Sequence, residues 1–347
     1  MSVLKIIARQ TGMILIALFL ATIFLKVSNY PPFAILNGIF LSLTKDLAGT
    51  IRWSAPLILA GLAVCVTFKA RIFNLGVDGQ LYLGAAAATA VALHMPAGNS
   101  FVLLICVFAA AMMAGMFFAV IPALLKIYME TNEVVSTLLL NFIAALFVDY
   151  LVAGPMRDMS AGANLNASPL LPQTAWLPRI AWLQPSSANI GFYIAIAVAL
   201  VLTFLFYKTT TGYEIKIVGS NDEFAGYGGI RTGKTTIQVM GMSGAIAGII
   251  GAAEVTAVQR RLMAGFNPGF GFNGIVVSLL ANNNPVGIVL SGIFFGALRN
   301  GGANMERLTA VPSAVTNIVM AIIILTISAQ FTAPKLKRYF KKPVTGG

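Results

Sequence analysis

Nine stretches of this chain stay apolar for about the length a helix needs to cross a lipid bilayer, and no other feature constrains its fold so tightly. They run at 11–27, 51–69, 80–95, 101–125, 134–153, 190–207, 236–256, 285–300 and 311–330. A helix needs about 20 residues to span a ~30 Å hydrocarbon core. A tenth run, 274–282, is short and follows a Gly/Asn/Phe-rich stretch, as a re-entrant or short spanning helix would. The piece FAILNGIFLSL at 33–43 is too short to span and is expected at the interface. Charge agrees: 58% of residues are hydrophobic and only 10% charged, where soluble domains carry about 25%. Mean hydropathy is +0.85. The expected fold is all-α, a polytopic transmembrane helical bundle of nine or ten membrane segments in a single domain, residues 1–347.

The net charge of +12 has no polar globular surface to sit on. Its cations fill short gaps between apolar runs, which argues against nucleic-acid binding and for membrane orientation. With the N-terminus inside, Lys5, Arg9, Lys69, Arg71, Lys126, Lys208, Lys216, Arg231, Lys234 and the cluster from Lys335 to Lys342 fall on the cytoplasmic side. Arg260 and Arg261 run against this N-in, C-in scheme. The scheme makes 154–189 an external loop and 208–235 the longest cytoplasmic one. Lys5 and Arg9 precede the run Met13–Leu25 with no small-x-small cleavage site after it, so an uncleaved first span is expected. Cys65 and Cys106 lie singly in apolar runs and His94 is the one histidine, so packing roles are expected, with no metal site and no cofactor. There is also an internal echo. Phe73-Asn74-Leu75-Gly76 and Phe266-Asn267-Pro268-Gly269 fall on opposite sides in this scheme, as an inverted repeat would place them.

Residues 228–235 read GGIRTGKT, which fits the phosphate-cradling pattern G-x-x-x-x-G-K-[ST]. That motif works between a buried strand and a helix. Here SNDEFAGY precedes it, polar and turn-like, with Ser220 or Asn221 suited to cap a short helix, and a small-residue-rich span follows. A loop of this length holds no nucleotide-hydrolysing domain, so the match is judged spurious. Arg231 and Lys234 are read as marking the cytoplasmic end of a span.

Ionisable and amide side chains at membrane depth are functional candidates. Glu254, late in a span, either faces a substrate pathway or anchors at the outer interface. Asn141 either hydrogen-bonds cargo or bridges two helices. Asn74, Asp78 and Gln80 sit where glycines break a run, which makes FNLGVDGQ either a pathway element or a packed structural loop. Phe270, Phe272 and Asn273 offer a flat cargo aromatic faces and an amide, or serve as interface anchors.

Five stretches resemble the permease subunits of nucleoside-type ABC importers, which are related to the ribose and branched-chain amino-acid permeases. They are FNLGVDGQLYLGA (73–85), NEVVSTLLLNFIA (132–144), GYEIKIVGSNDEFAGYGGI (212–230), SGAIAGIIGAAEV (243–255) and GFNGIVVSLLANNNPVGI (271–288). The resemblance covers about residues 50–330. It implies a multi-pass protein of the bacterial plasma membrane that moves nucleosides, purine or pyrimidine, with ATP hydrolysed by partner ABC ATPase subunits. It also implies a second permease subunit, as a heterodimer, and an extracytoplasmic substrate-binding lipoprotein or protein. The family's ATPase-docking element falls on Asn221, Asp222, Glu223, Ala225 and Gly229. Where the family's first motif usually has Glu, this chain has Asp78, so a role that needs the longer side chain is in question. A sugar or flavin-like cargo, or a stand-alone secondary transporter, are the alternatives.

Overall fold

A computed structural model describes residues 3–95, 98–159, 166–184 and 186–308, with scattered positions between 311 and 326. The expected span at 311–330 and the cations Lys335 to Lys342 therefore lie largely or wholly outside the described residues. The chain divides into two compact units, residues 1–50 with 294–347, and residues 51–293. The first begins with α1 (Val3–Val27) and α2 (Ala34–Thr44). Through α3 (Leu47–Lys69) the chain enters the second. There follow α4 (Val77–His94), α5 (Ser100–Met129), α6 (Glu133–Ala153), α7 (Gly191–Lys208), α8 (Thr210–Ser220), α9 (Asp222–Tyr227) and α10 (Thr232–Ala253). A π turn (Glu254–Gln259), α11 (Phe270–Leu280) and α12 (Pro285–Leu308) complete the described order.

Helix is the only strand-free way to satisfy every backbone group inside lipid, and the described residues hold no strand beyond two isolated bridges. Six described helices are long and apolar enough to cross a membrane: α3, α5, α6, α7, α10 with its π turn, and α12. The expected span at 80–95 forms as α4, but it is less apolar than these. Its small residues are packed between neighbouring helices, and it is not one of the six. The 33–43 piece forms α2, too short to span, as expected.

In the first unit, α2 lies against α12, with Gly38 on Gly301. The Asn300 amide donates to the Asp46 main-chain and carboxylate oxygens at 3.0 Å each, and Asn304 donates to Ser42 Oγ at 3.1 Å.

In the second unit burial separates an inner set from a lipid-facing set. Of the apolar stretches, 78% of α3 and 72% of α10 is buried, against 22% of α5 and α6. Leu146 and Phe142 of α6 and Phe204 of α7 are thus exposed to the bilayer. α10 packs on α4 and α5 through small residues: Gly244 meets Gly115, Gly248 meets Ala111 and Gly84, and Gly251 meets Leu81 and Ala85. A side chain at Gly248 would overlap the Ala111 carbonyl. Gly248→Val is accordingly expected to cost about 1–3 kcal/mol by overpacking, seen as a lower melting temperature of the purified protein. An unchanged melt would remove this contact from the account.

Both ends of the unit are defined by contacts. Gly219 of α8 abuts the Lys69 carbonyl at the end of α3, Gly212 abuts the end of α7, and Gly233 faces Ile127 near the end of α5. This end carries Lys69, Lys126, Lys208 and Lys216, and the positive-inside rule makes it cytoplasmic. At the opposite end the segment 166–190 covers the close of α10: Leu171 N–H donates to the Arg260 carbonyl (2.8 Å) and Leu177 N–H to that of Thr256 (3.2 Å).

Candidate functional site

The two echoing motifs enter from opposite ends and meet. The stretch Phe73–Gly76 climbs inward from the cytoplasmic end of α3, and Asn74 Nδ2 donates to Ser243 Oγ, near the middle of α10, at 2.9 Å. The stretch Phe266–Gly269 follows the far end of α10 and leads into α11, which runs alongside α3 toward the cytoplasmic end: Gly274 lies on Ala60, and Cys65 Sγ donates to the Asn283 carbonyl at 3.0 Å. α4 and α11 therefore start head to head and run apart.

Asp78, in the first turn of α4, joins them. Its Oδ1 accepts from Asn267 Nδ2 at 2.6 Å and from the Gly271 N–H, in the first turn of α11, at 2.7 Å. Asn267 Oδ1 in turn accepts from the N–H groups of Gly269 and Phe270, both at 3.0 Å. One carboxylate thus sits against the positive ends of two helices. Gly271 is required for this approach, because a Cβ there would stand 2.8 Å from the Asp78 carboxyl carbon.

The rest of FNLGVDGQ is tied down from the side. Asn141 Oδ1 accepts from the Gly79 N–H and its Nδ2 donates to the Leu75 carbonyl, both at 2.7 Å. Thr137 Oγ1 accepts from the Leu75 N–H (3.2 Å). Asn74 and Gln80 exchange two amide bonds at 3.1 Å, and Asn74 Oδ1 also accepts from the Gly76 N–H. Asn74, Asp78, Gln80 and Asn141 are all buried. Their polar groups are directed at one another, at this backbone, at Ser243 and at the start of α11, the arrangement of a packed structural loop and of a helix bridge.

A second centre lies toward the outer end. Glu254 Oε2 meets Arg52 Nη2 at 3.0 Å, and both side chains are withdrawn from solvent. Glu254 is thus buried against Arg52 rather than exposed at the outer end. The Arg52 guanidinium lies 4.0 Å from the centroid of the Trp53 ring. Its Nη1 is buried without a hydrogen-bond partner among the described residues. Beside the pair is a cavity of about 10 Å³, lined by Asn189, Pro56, Leu59, Ile250 and Ala253 as well as the pair. That is room for about one water, which can serve the free Nη1. Glu254 opens the π turn, a local widening of the helix often found at functional positions.

The aromatic candidates separate. Phe270 is buried, with its ring centroid 6.2 Å from that of Trp53. Phe272 is 48% exposed and keeps an open face. Asn273 Nδ2 donates to the Gly269 carbonyl (2.8 Å), bracing the start of its own helix. The sequence reading missed Arg52, Asn189, Thr137, Ser243 and Asn267. Arg52 carried a signal, being a lone cation at the start of an apolar run whose far partner is a lone acid at the same predicted level. Asn267 carried one too, as the counterpart of Asn74 in the echo.

The cytoplasmic loop holds two short helices, α8 and α9, where one was expected. Asn221 ends the first and caps the second, its Oδ1 accepting from the Phe224 N–H at 3.1 Å. Asp222 and Glu223 follow in the first turn, where negative charge is favoured. Ala225 is the buried residue of α9, whereas Phe224 and Tyr227 are 64% and 92% exposed. Gly229 turns the chain at φ +80°, and Arg231 precedes α10. The amides of Gly228, Gly229 and Ile230 donate to carbonyls of α9, and that of Thr235 to Arg231. Lys234 stands in the first turn of α10, and a short helix rather than a strand precedes GGIRTGKT.

A family model described as branched-chain amino acid transport system / permease component matches residues 47–328. The chain is 38% identical to a glucose ABC transporter permease protein of Haloferax volcanii, over 82% of this chain and 76% of that one. It is 34% identical to a guanosine ABC transporter permease protein of Bacillus subtilis, over 88% of each chain. It is 29% identical to a nucleoside ABC transporter permease protein of Lactococcus lactis, over 92% of this chain and 89% of that one. No solved structure matches.

Proposed function

Because the chain belongs to the branched-chain amino acid transport system / permease component family, and so is an ABC permease of the plasma membrane and a transport component, we propose that its cargo is a nucleoside. The observation that carries this reading is the similarity to guanosine and nucleoside permeases, which extends over 88% and 92% of this chain. A hexose is the second reading, favoured by the 38% identity to a glucose permease. In either case the cargo is rich in hydroxyls, and Glu254, Arg52 and Asn189 offer an acceptor, a free donor and an amide for such groups. Phe272 offers a base an open ring. The cavity here admits about one water, so cargo enters only after α3 and α10 separate at this end. The opposing carboxylate and guanidinium hold that end closed until then.

ATP is handled by partner ABC ATPase subunits that grip α8 and α9. Phe224 and Tyr227 are the exposed aromatics of the grip, Asn221, Asp222 and Glu223 set the start of α9, and Ala225 and Gly229 fix its seat and exit. An extracytoplasmic binding protein delivers cargo, and a second permease subunit completes the pathway. Asn74, Asp78, Gln80, Asn141 and Asn273 support the pathway by holding the α4 and α11 starts in place.

The test is uptake of radiolabelled guanosine by vesicles holding the assembled transporter, with unlabelled glucose as competitor. ATP-dependent guanosine uptake that glucose leaves intact supports the nucleoside reading. Glucose uptake with none of guanosine would move the cargo to hexoses, and uptake without any ATPase subunit would make the chain a secondary carrier. Joint replacement Phe224→Ala and Tyr227→Ala is expected to weaken ATPase attachment at least about thirtyfold, the effect of losing one hot spot of ~2 kcal/mol, as read by surface-immobilised binding. Lys234→Ala is expected to leave ATP-driven uptake unchanged.

A further inference from the structure

The cytoplasmic end of the second unit carries a basic cavity that the transport reading does not use. Its volume is about 310 Å³, and Lys69, Phe206, Tyr207, Gly212, Lys216 and Ser220 contribute to its wall. Three elements build it: the last residue of α3, the end of α7, and one face of α8. Lys69 Nζ hangs 4.9 Å from the Phe206 ring centroid and 5.9 Å from that of Tyr207. The ion pairs Arg52–Glu254 and Lys126–Glu133 leave Lys69 and Lys216 aside, and neither lysine has a carboxylate partner among the described residues. Two like charges converge on one hollow, and nothing described neutralises them.

Its level in the membrane identifies the missing anion. Lys69 and Lys208 close two helices at the cytoplasmic end, where lysines mark the headgroup layer. Tyr207 is 60% exposed there, in the position of an interfacial aromatic. The apolar length of α7 below it faces lipid along Phe204 and Val201, giving acyl chains a surface to follow. Basic hollows between helices on the cytoplasmic side suit anionic headgroups. We propose that this cavity binds the phosphate of an anionic phospholipid such as phosphatidylglycerol, with Lys69 and Lys216 on the phosphate and Tyr207 beside the glycerol. Because α8 forms one wall, the bound lipid braces the base of the α8–α9 pair.

Native mass spectrometry of the purified full chain, with phosphatidylglycerol or phosphatidylcholine added to the micelles, tests this. Phosphatidylglycerol is expected to stay bound while phosphatidylcholine leaves. Lys69→Gln with Lys216→Gln is expected to weaken retention about fivefold per lysine, roughly twenty-five-fold together. Lys208→Gln removes a cation of the same belt outside the cavity wall and is expected to change nothing. If the double variant does not fold, Lys216→Gln alone, at an exposed position, carries the measurement. Equal retention of both lipids, an unchanged affinity in the lysine variants, or an equal loss with Lys208→Gln overturns the proposal. So does displacement of the lipid by inorganic phosphate alone, which would assign the cavity to a free anion. The readout is lipid binding, so it stands or falls apart from the identity of the cargo.

Discussion

Replacing Glu254 with leucine is expected to cost about 3–5 kcal/mol of folded stability, the penalty for stranding a buried partner charge. Arg52 would lose its carboxylate partner, and its Nη1 already has no hydrogen-bond partner among the described residues. Arg52→Met should cost about as much for the mirror reason. The double variant Arg52→Met with Glu254→Leu should recover most of the loss, because an apolar pair of similar volume replaces an ion pair that had to be desolvated on both sides. The two singles and the double form a cycle that can be measured by urea or thermal unfolding in micelles. If the pair were only a structural strut, the recovered double variant would also transport. The proposed closing and cargo-contact role expects a folded double variant with uptake at background. A double variant that folds and transports normally would remove the pair from the pathway, and additive losses in the cycle would show that the two charges do not act as a pair.

The second large effect is expected at Asp78. Its carboxylate oxygen accepts from both Asn267 and the Gly271 amide, and hydrogen bonds to a charged group are worth about 1.5–3 kcal/mol each. Asp78→Ala should therefore lose about 3–6 kcal/mol and release the start of α11 from α4. Asp78→Asn keeps the shape and one acceptor oxygen but gives up the charge that two helix starts favour, so a smaller loss is expected. Asp78→Glu is the informative variant, because Glu is the residue the family resemblance leads one to expect here. Gly271 lies so close to the carboxyl carbon that another methylene must push α11 aside, at about 1–3 kcal/mol. A glutamate variant as stable as the parent would show that α11 moves freely, contrary to the tight seat described above.

The helical class and most spans were legible in the sequence because a continuous apolar run of about 20 residues satisfies its backbone inside lipid as a helix, so run length alone carries the information. Length could not tell α4 from its neighbours. Its Gly and Ala residues let α5 and α10 close around it, and burial of that kind depends on partners far along the chain. A capped short helix in the 208–235 loop was legible from Asn221, with glycines on either side, although the break into two helices was not. Site residues were legible as polar letters in apolar runs, but their roles were not. Asn74, Gln80 and Asn141 could have been cargo contacts or structural links, and their partners, a hydroxyl, amides and backbone groups, are ones that spacing does not reveal. Arg52 passed unnoticed at the start of the 51–69 run because a charge at a boundary is ordinary. Only the distant Glu254 makes it otherwise.

The head-to-head start of α4 and α11 has a consequence for how the protein is made. Asp78 leaves the ribosome 193 residues before the Gly271 amide that it will accept from. At about 5–20 residues per second that is roughly 10–40 s of synthesis. For that interval a charged, glycine-broken segment must wait at the membrane without the partner that makes its burial tolerable. α4 is thus expected to enter the bilayer fully only after α11 has been translated, and a nascent chain stopped before Asn267 should leave Asp78 open to water-borne reagents.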